Sequence, residues 1–181
     1  MINSTSVNKK EITLWQVGGL TFTAVLGTLL HFAYEWTGFK FFAPVSGINE
    51  STWEHMKLLF FPTFIFALFQ SFFFKDYSSF WQVKFKGSVL GLILIPIIFY
   101  TYNGVFGKSP DWVNISIFFI SAFFEFYYEW KIFKTTNKQI NYSIIYLLLL
   151  FTVALLFILF TYFPPKIPLF QDPTNGSYGV L

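Results

Sequence analysis

The segment YSIIYLLLLFTVALLFILFTYF, residues 142–163, decides the fold class, because it contains no charged side chain along its whole length. The hydrocarbon core of a bilayer is about 30 Å thick, and a helix needs about 20 mostly apolar residues to cross it. Four further segments reach that length. Since none of the five segments alternates strictly between polar and apolar residues, helices are expected rather than the strands of a barrel. The sequence therefore predicts an all-α integral membrane bundle of five transmembrane helices, in one domain over residues 1–181, with spans at about 11–36, 51–74, 81–102, 111–133 and 142–163.

The composition of the 181-residue chain supports this class. Hydrophobic residues make up 55% of the chain and charged residues 12%, whereas soluble domains carry about 25% charged residues. Cysteine is absent and all twelve cationic side chains are lysine, which excludes disulfides, thiolate metal sites, a catalytic cysteine and bidentate recognition of phosphate by arginine. The net charge of +3 is small and spread along the chain, so nucleic acid is not an expected partner. The expected partner is the lipid bilayer.

The lysines predict the orientation of the chain. With the N-terminus inside, eight lysines fall on the inner side and four on the outer side, which agrees with the positive-inside rule. Twenty-eight phenylalanines without arginine suggest an AT-rich bacterial genome. The sequence thus predicts a multi-pass protein of the bacterial cytoplasmic (inner) membrane, with its C-terminal tail, residues 164–181, outside. The inner lysines are Lys9, Lys10, Lys75, Lys84, Lys86, Lys131, Lys134 and Lys138, and the outer ones are Lys40, Lys57, Lys108 and Lys166.

The densest polar stretch is NESTWEHMK, residues 49–57, at the start of the second predicted span. Ser51 and Glu54 have the spacing of a capping box, which satisfies free amide groups at the start of a helix. Glu54 is also spaced to pair with Lys57. Capping explains these residues but not His55, which begins a face of an otherwise Phe- and Leu-rich helix.

The two histidines of the chain are expected to meet. His31 and Glu35 lie one helical turn apart on one face of the first span, and a linker of about 14 residues separates that span from the helix that carries His55. These side chains, with either Glu50 or Glu54, offer nitrogen and oxygen ligands suited to zinc or another divalent metal. The alternative is a packed seam of small residues with a hydrogen bond between His31 and Glu35.

Two carboxylates lie in the fourth predicted span. Glu129 is near the inner surface, where it is expected to meet Lys84 or Lys86 by snorkelling. Glu125 lies about one turn deeper, where an unpaired carboxylate costs at least about 3 kcal/mol. Glu125 is therefore a functional candidate, and a buried hydrogen bond to Ser121 or to a tyrosine is the structural alternative.

The tail after Phe163 is expected to be ordered. Its prolines favour an extended segment, and Leu169 and Phe170 each cost roughly 1.5–3 kcal/mol if they are left in water. The tail is therefore predicted to pack over the outer ends of the first two helices, where Asp172 would supply a further carboxylate. A disordered tail is the alternative.

The box Asn49-Glu50-Ser51-x-Trp53-Glu54-His55-x-Lys57, together with Pro164–Gly179, resembles an uncharacterised family of small multi-spanning bacterial membrane proteins. The resemblance also takes in His31–Trp36 and covers nearly the whole chain. That family has no assigned activity, so the resemblance implies class and membership alone.

The segment from Ser51 to His55 is also similar to the Ser-x-x-x-His turn of membrane hydrolases of the alkaline ceramidase type. Those enzymes combine this turn with an aspartate and a late His-x-x-x-His that hold zinc. This chain has no histidine after His55 and five predicted spans in place of seven. A hydrolase would therefore require His31 and Glu35 to replace the missing ligands.

Three functions fit these patterns. A metal-dependent hydrolase of a lipid-like substrate would place a metal at His31, Glu35 and His55, with a carboxylate as general base. A proton- or cation-coupled transporter of a small molecule would use the same cluster, with Glu125 as an inner station, and five helices would then require an oligomer. A binding or assembly protein would dock a partner on its outer polar face. The sequence favours hydrolysis slightly over transport, with Glu54, Glu50 and Ser51 as catalytic residues and Asn49, Lys57, Glu125 and Asp172 as further site residues.

Overall fold

A computed structural model describes residues 8–75, 77–135 and 143–180. These residues form five α-helices followed by a single 3-10 turn at Pro168–Phe170, and no strand is found in the described part of the chain. The predicted all-α class is confirmed. Two residues of the sequence predictions lie outside the described residues: Tyr142, predicted at the start of the fifth span, and Lys138, predicted on the inner side. The helices are α1 (Lys9–Thr37), α2 (Thr52–Ser71), α3 (Phe80–Phe106), α4 (Asp111–Thr135) and α5 (Ser143–Tyr162).

Three of the helices, α1, α3 and α5, are long and apolar enough to cross a membrane. The other two carry most of the buried charged side chains, among them Glu54 and Lys57 on α2 and Glu125 and Glu129 on α4. Those charged groups lower the mean hydropathy of α2 and α4, although both helices are rich in phenylalanine.

Helix α2 lies at the centre of the bundle and packs against all four other helices. Glycines let α1 approach its neighbours closely, as expected of the packed seam of small residues that the sequence offered as the alternative to a metal site. A Cβ atom on Gly27 would lie 2.9 Å from the Leu58 carbonyl oxygen of α2, and a Cβ atom on Gly19 would lie 2.6 Å from the Phe66 ring. These contacts set the register of α1 against α2. The end of the bundle where α1 ends and α2 begins is called the histidine end below.

The C-terminal tail is ordered and packs at the histidine end. Phe170 is buried, with its ring centroid 4.6 Å from that of Trp53 on α2 and 5.5 Å from that of Phe160 on α5. The Val180 N–H donates to the Thr161 carbonyl oxygen of α5 at 3.2 Å. The tail thus lies on α2, as predicted, and its second support is α5 rather than α1.

Candidate functional site

The two histidines meet at the histidine end, with a carboxylate between them. The ring centroids of His31 and His55 are 5.8 Å apart. Glu50 lies 3.8 Å from Nε2 of His31 through Oε1, and 3.6 Å from Nε2 of His55 through Oε2. The side chains are 30%, 20% and 47% exposed for His31, His55 and Glu50 respectively. These three residues are called the histidine cluster, and their exposure leaves the cluster within reach of water.

Ser46, in the loop between α1 and α2, holds the turn of α1 that carries His31. Its hydroxyl donates to the Leu30 carbonyl and accepts the Tyr34 N–H at 3.0 Å. Since the Tyr34 N–H would otherwise bond to the Leu30 carbonyl, Ser46 inserts into the hydrogen-bond ladder of α1 at His31. Gly47 packs beside the ring, since a Cβ atom there would lie 3.5 Å from Nδ1 of His31. The sequence analysis missed Ser46, because its sequence position, in a turn-rich segment, gives no sign that it inserts into a helix.

The first turn of α2 fixes the chemistry of His55. Its Nδ1 lies 2.9 Å from the Ser51 carbonyl oxygen, and because a carbonyl only accepts, Nδ1 carries a proton. The other ring nitrogen, Nε2, faces Oε2 of Glu50 at 3.6 Å. An imidazole nitrogen beside a carboxylate oxygen is a pair of groups that can share a proton.

Asp172 of the tail supports the backbone of Glu50. Its Oδ2 accepts the Glu50 N–H at 3.5 Å, while Oδ1 accepts the N–H of Thr174 at 2.7 Å and its hydroxyl at 2.5 Å. Burial alone would raise the pKa of Asp172, but hydrogen bonds from Thr174 and from the N–H groups of Glu50 and Asn175 hold that pKa below its ordinary value. Asp172 therefore acts as a backbone anchor for the histidine cluster.

Glu35 does not join the histidine cluster. It is exposed and, in the described part of the chain, forms no hydrogen bond or ion pair. The hydrogen bond between His31 and Glu35, which the alternative predicted, is not formed, and of the two predicted carboxylates Glu50 and Glu54 it is Glu50 that contacts the histidines. Among residues 8–75, 77–135 and 143–180, no group of three His, Asp or Glu side chains is arranged to hold a metal ion.

The remaining residues of the NESTWEHMK stretch hold the start of α2. Asn49 accepts the Ser51 N–H at 3.0 Å, and Ser51 caps the helix by accepting the Glu54 N–H at 3.4 Å. Instead of closing a capping box, the Glu54 carboxylate accepts the Ile48 N–H at 3.1 Å and pairs with Lys57 at 2.6 Å. Ser51 and Glu54, expected as catalytic residues, are thus engaged in local structure.

Lys57 is fully buried and is not an interfacial lysine. Besides Glu54, its ammonium group donates to the Ala43 carbonyl oxygen at 2.8 Å and to the Thr161 hydroxyl at 3.0 Å. These three bonds join α2 to the loop after α1 and to α5. They use all three donors of the ammonium group.

A second polar cluster lies in the interior, between α3 and α4. Lys84 pairs with Glu129 at 2.6 Å, and the Ser88 hydroxyl donates to Oε1 of Glu125 at 3.1 Å. Lys84, Ser88, Glu125 and Glu129 are called the carboxylate cluster, and all four are buried. The predicted pairing of Glu129 with a lysine is confirmed for Lys84, but the pair is buried rather than snorkelling. Glu125 bonds to Ser88 and not, as the alternative had it, to Ser121, whose hydroxyl has no partner within the described residues.

Two glycines of α3 make room for these carboxylates. A Cβ atom on Gly87 would lie 2.8 Å from Oε1 of Glu129, and one on Gly91 would lie 2.6 Å from Oε2 of Glu125. Any larger side chain would displace the carboxylates. Gly87, Gly91 and Ser88 were not predicted as site residues, although the four-residue steps from Lys84 to Ser88 and from Gly87 to Gly91 on α3 match the step from Glu125 to Glu129 on α4.

The carboxylate cluster has one more acidic side chain than basic side chains. Lys84 neutralises Glu129, whereas Glu125 has Ser88 as a neutral donor and its Oε2 has no hydrogen-bond partner among the described residues. A lone carboxylate in a low-dielectric interior is strongly disfavoured unless it binds a proton or a cation. Glu125 is therefore the group of the interior that is best suited to exchange one.

An apolar barrier separates the two clusters. A small cavity beside His55 reaches in between α2, α3 and α4 as far as Ile95 and Ile117. Leu59 packs with these two residues and lies over Gly91, next to Glu125. Leu59, Ile95 and Ile117 thus form a barrier between the cavity and the carboxylate cluster. The cavity is lined by Thr52, His55, Ile95, Phe99, Asn114, Ile117 and Phe118.

Comparison with known proteins places the chain in a family but gives no activity. No curated protein and no solved structure matches this sequence. A family of unknown function, DUF6512, matches residues 3–180. Since the match covers nearly the whole chain, this protein belongs to the DUF6512 family.

Proposed function

We propose that this protein is a proton-translocating transporter of the bacterial cytoplasmic membrane, with five membrane-spanning helices, its N-terminus inside and its tail outside. Helix α2 has 20 residues, about 30 Å at 1.5 Å per residue, which suits a bilayer. Its central position explains how it tolerates polar side chains, because the other four helices pack around it. Helix α4 directs its buried carboxylates towards α3 and its exposed phenylalanines away from it.

The lysine count still supports this orientation after the buried ion pairs are removed. Lys57 and Lys84 are buried in ion pairs and do not report on the membrane surface. Without them the chain has seven lysines on the proposed inner side and three on the outer side. By the positive-inside rule this difference supports the proposal that the histidine end faces outside.

The observation that carries the transport proposal is the surplus carboxylate Glu125 in the middle of the bundle. Ionisable residues inside membrane bundles are rare, and in pumps and transporters they form proton relays. Glu125 is buried, one of its oxygens has no hydrogen-bond partner in the described part of the chain, and glycine rather than a larger residue faces it. The histidine cluster supplies the second proton station, at the outer surface. Movement of the apolar barrier between them would allow the two stations to exchange protons in turn.

The hydrolase predicted from the sequence has less support. Of the residues assigned to catalysis, Ser51 and Glu54 hold the start of α2, which leaves Glu50 as the general base. A divalent metal such as zinc at His31, Glu35 and His55 stays a prediction, as does a lipid-like ligand. Proton binding is the better supported function of the histidine cluster because Glu50 already faces both Nε2 atoms.

The test is proton flux into liposomes. Purified protein is reconstituted with a pH-sensitive dye inside, and an imposed potassium diffusion potential drives protons inward. We expect flux well above that of protein-free liposomes, and a loss of at least tenfold in Glu125→Gln. Glu35→Gln is the matched control, since that carboxylate is exposed and lies outside both clusters. Wild-type flux equal to that of empty liposomes would contradict the proposal, as would full flux in Glu125→Gln.

A further inference from the structure

Two glutamines are buried at the end of the bundle opposite the histidines. Gln16 of α1 is 4% exposed and Gln70 of α2 is 0% exposed. In the described part of the chain, neither the amide nitrogen nor the amide oxygen of either side chain has a hydrogen-bond partner. A buried amide without a hydrogen-bond partner lowers the free energy of unfolding by more than the loss of a hydrogen bond at the surface does. The sequence analysis assigned no role to either residue.

The helix register places both amides at one level. Gly27 meets Leu58, and Gly19 meets Phe66, along the antiparallel pair α1 and α2. One further turn along each helix, in the same direction, leads to Gln16 and Gln70. The two glutamines therefore lie at the same level of neighbouring helices.

The same level contains the ion pair of the carboxylate cluster. Helix α1 meets α4 at Gly19 and Phe126, and again where Trp130 Nε1 donates to the Thr13 hydroxyl at 3.0 Å. Gln16 lies between these two contacts on α1, and Glu129 lies between them on α4. The glutamines and the pair of Lys84 with Glu129 thus form one polar layer across four helices.

An occupant of this layer has to offer both donors and acceptors, because each amide has both kinds of group free. It has to be small, since phenylalanine rings surround Lys84 at 5.4–6.0 Å. It also has to be uncharged, since Lys84 and Glu129 already balance each other. Water meets all three requirements.

We propose that Gln16 and Gln70 bind a group of water molecules, which forms the inner half of the proton path and reaches Glu125 through the pair of Lys84 with Glu129. This inference rests on the proposed transport of protons for its role, but the water site itself does not. The outer half differs, because the barrier of Leu59, Ile95 and Ile117 offers no polar side chain. The buried polar side chains thus continue from Glu125 towards the inner end and not through the barrier.

The test uses the absence of native cysteine. Gln70→Cys and Gln16→Cys are each treated with N-ethylmaleimide in membranes, because a thiol needs water to form the reactive thiolate. Leu59→Cys is the matched control, as Leu59 lies on the same helix as Gln70 and is equally buried. We expect labelling of the glutamine positions at least tenfold faster than that of position 59. Each variant is first checked for a single monodisperse peak in detergent.

Equal rates of labelling at positions 16, 70 and 59 would overturn the water site. Because two glutamine positions are tested, the result stays decisive if one of the two variants does not fold. The outcome separates the two proposals. Fast labelling in a protein without proton flux would retain the water site and contradict transport. Slow labelling in a protein with full flux would retain transport and contradict the water site.

Discussion

Lys57→Met tests whether the buried ion pair at the start of α2 holds the histidine end together. The substitution removes the partner of Glu54, 2.6 Å away, and leaves that carboxylate buried without a cation. Breaking a buried pair from one side costs about 3–5 kcal/mol. It also leaves the Ala43 carbonyl and the Thr161 hydroxyl without their donor, at about 1–3 kcal/mol for an unsatisfied group. We therefore expect a loss of at least about 3 kcal/mol in the free energy of unfolding.

The measurement is equilibrium unfolding by titration with a denaturing detergent, followed by helical circular dichroism. The double variant Glu54→Gln, Lys57→Met removes the unpaired charge, so it is expected to be more stable than Lys57→Met alone. Lys40→Met, at an exposed lysine of the adjacent loop, is the control and should change stability by less than about 0.5 kcal/mol. If Lys57→Met is as stable as Lys40→Met, or if the double variant is less stable than the single one, the assignment of Lys57 as a structural anchor is wrong.

Three further predictions follow from single contacts. Gly91→Ala would bring a Cβ atom to 2.6 Å from Oε2 of Glu125, so it is expected to lower both the melting temperature and the proton flux. The control Gly104→Ala meets nothing within 4 Å and should raise the melting temperature, because alanine has a helix propensity about 1 kcal/mol more favourable than that of glycine. Equal melting temperatures of the two variants would contradict the packing of Gly91 against Glu125. Phe170→Ala removes the main apolar anchor of the tail and is expected to lower the free energy of docking by about 3–5 kcal/mol. A protease should then cleave the tail much faster than in the wild type. An unchanged rate of cleavage would refute the docking. The pKa of Asp172 is lower in the folded protein than the unfolded value of 3.8. The stability that its carboxylate adds to tail docking is therefore present above pH 3.8 and is lost as the pH falls through the lower folded pKa. Hydrogen exchange of the tail should become faster over this pH range in the wild type but not in Asp172→Asn.

The helices were predictable because apolar length is a property of the local sequence. The predicted third span, 81–102, corresponds to Phe80–Phe106, and the predicted fourth, 111–133, to Asp111–Thr135. The positions of the lysines were less predictable. Lys84 was predicted to meet Glu129, 45 residues away along the chain, at the membrane surface, whereas the pair is buried. Local sequence does not show the burial of such a pair, because that depends on the helices packed around it.

The candidate site was predictable in part for the same reason. The meeting of His31 and His55 followed from two antiparallel helices and a short linker, which are local features. The exclusion of Glu35 and the choice of Glu50 rather than Glu54 did not follow from local features, because they depend on how the loop returns to α1. Ser46 determines that return by inserting into α1, and its sequence position does not reveal this contact.

Packing alone does not account for the carboxylate cluster, and this is the strongest argument for a function there. An apolar side chain at position 125, with alanine at position 91, would fill the same space without burying the surplus carboxylate. The chain instead combines Glu125 with a glycine at the facing position 91 and with a hydrogen bond from Ser88. Replacing buried charged groups by apolar ones of similar volume is often neutral or stabilising. An arrangement that gains no stability over its apolar equivalent, and that depends on several residues of two helices, supports the proposed site for an exchangeable proton.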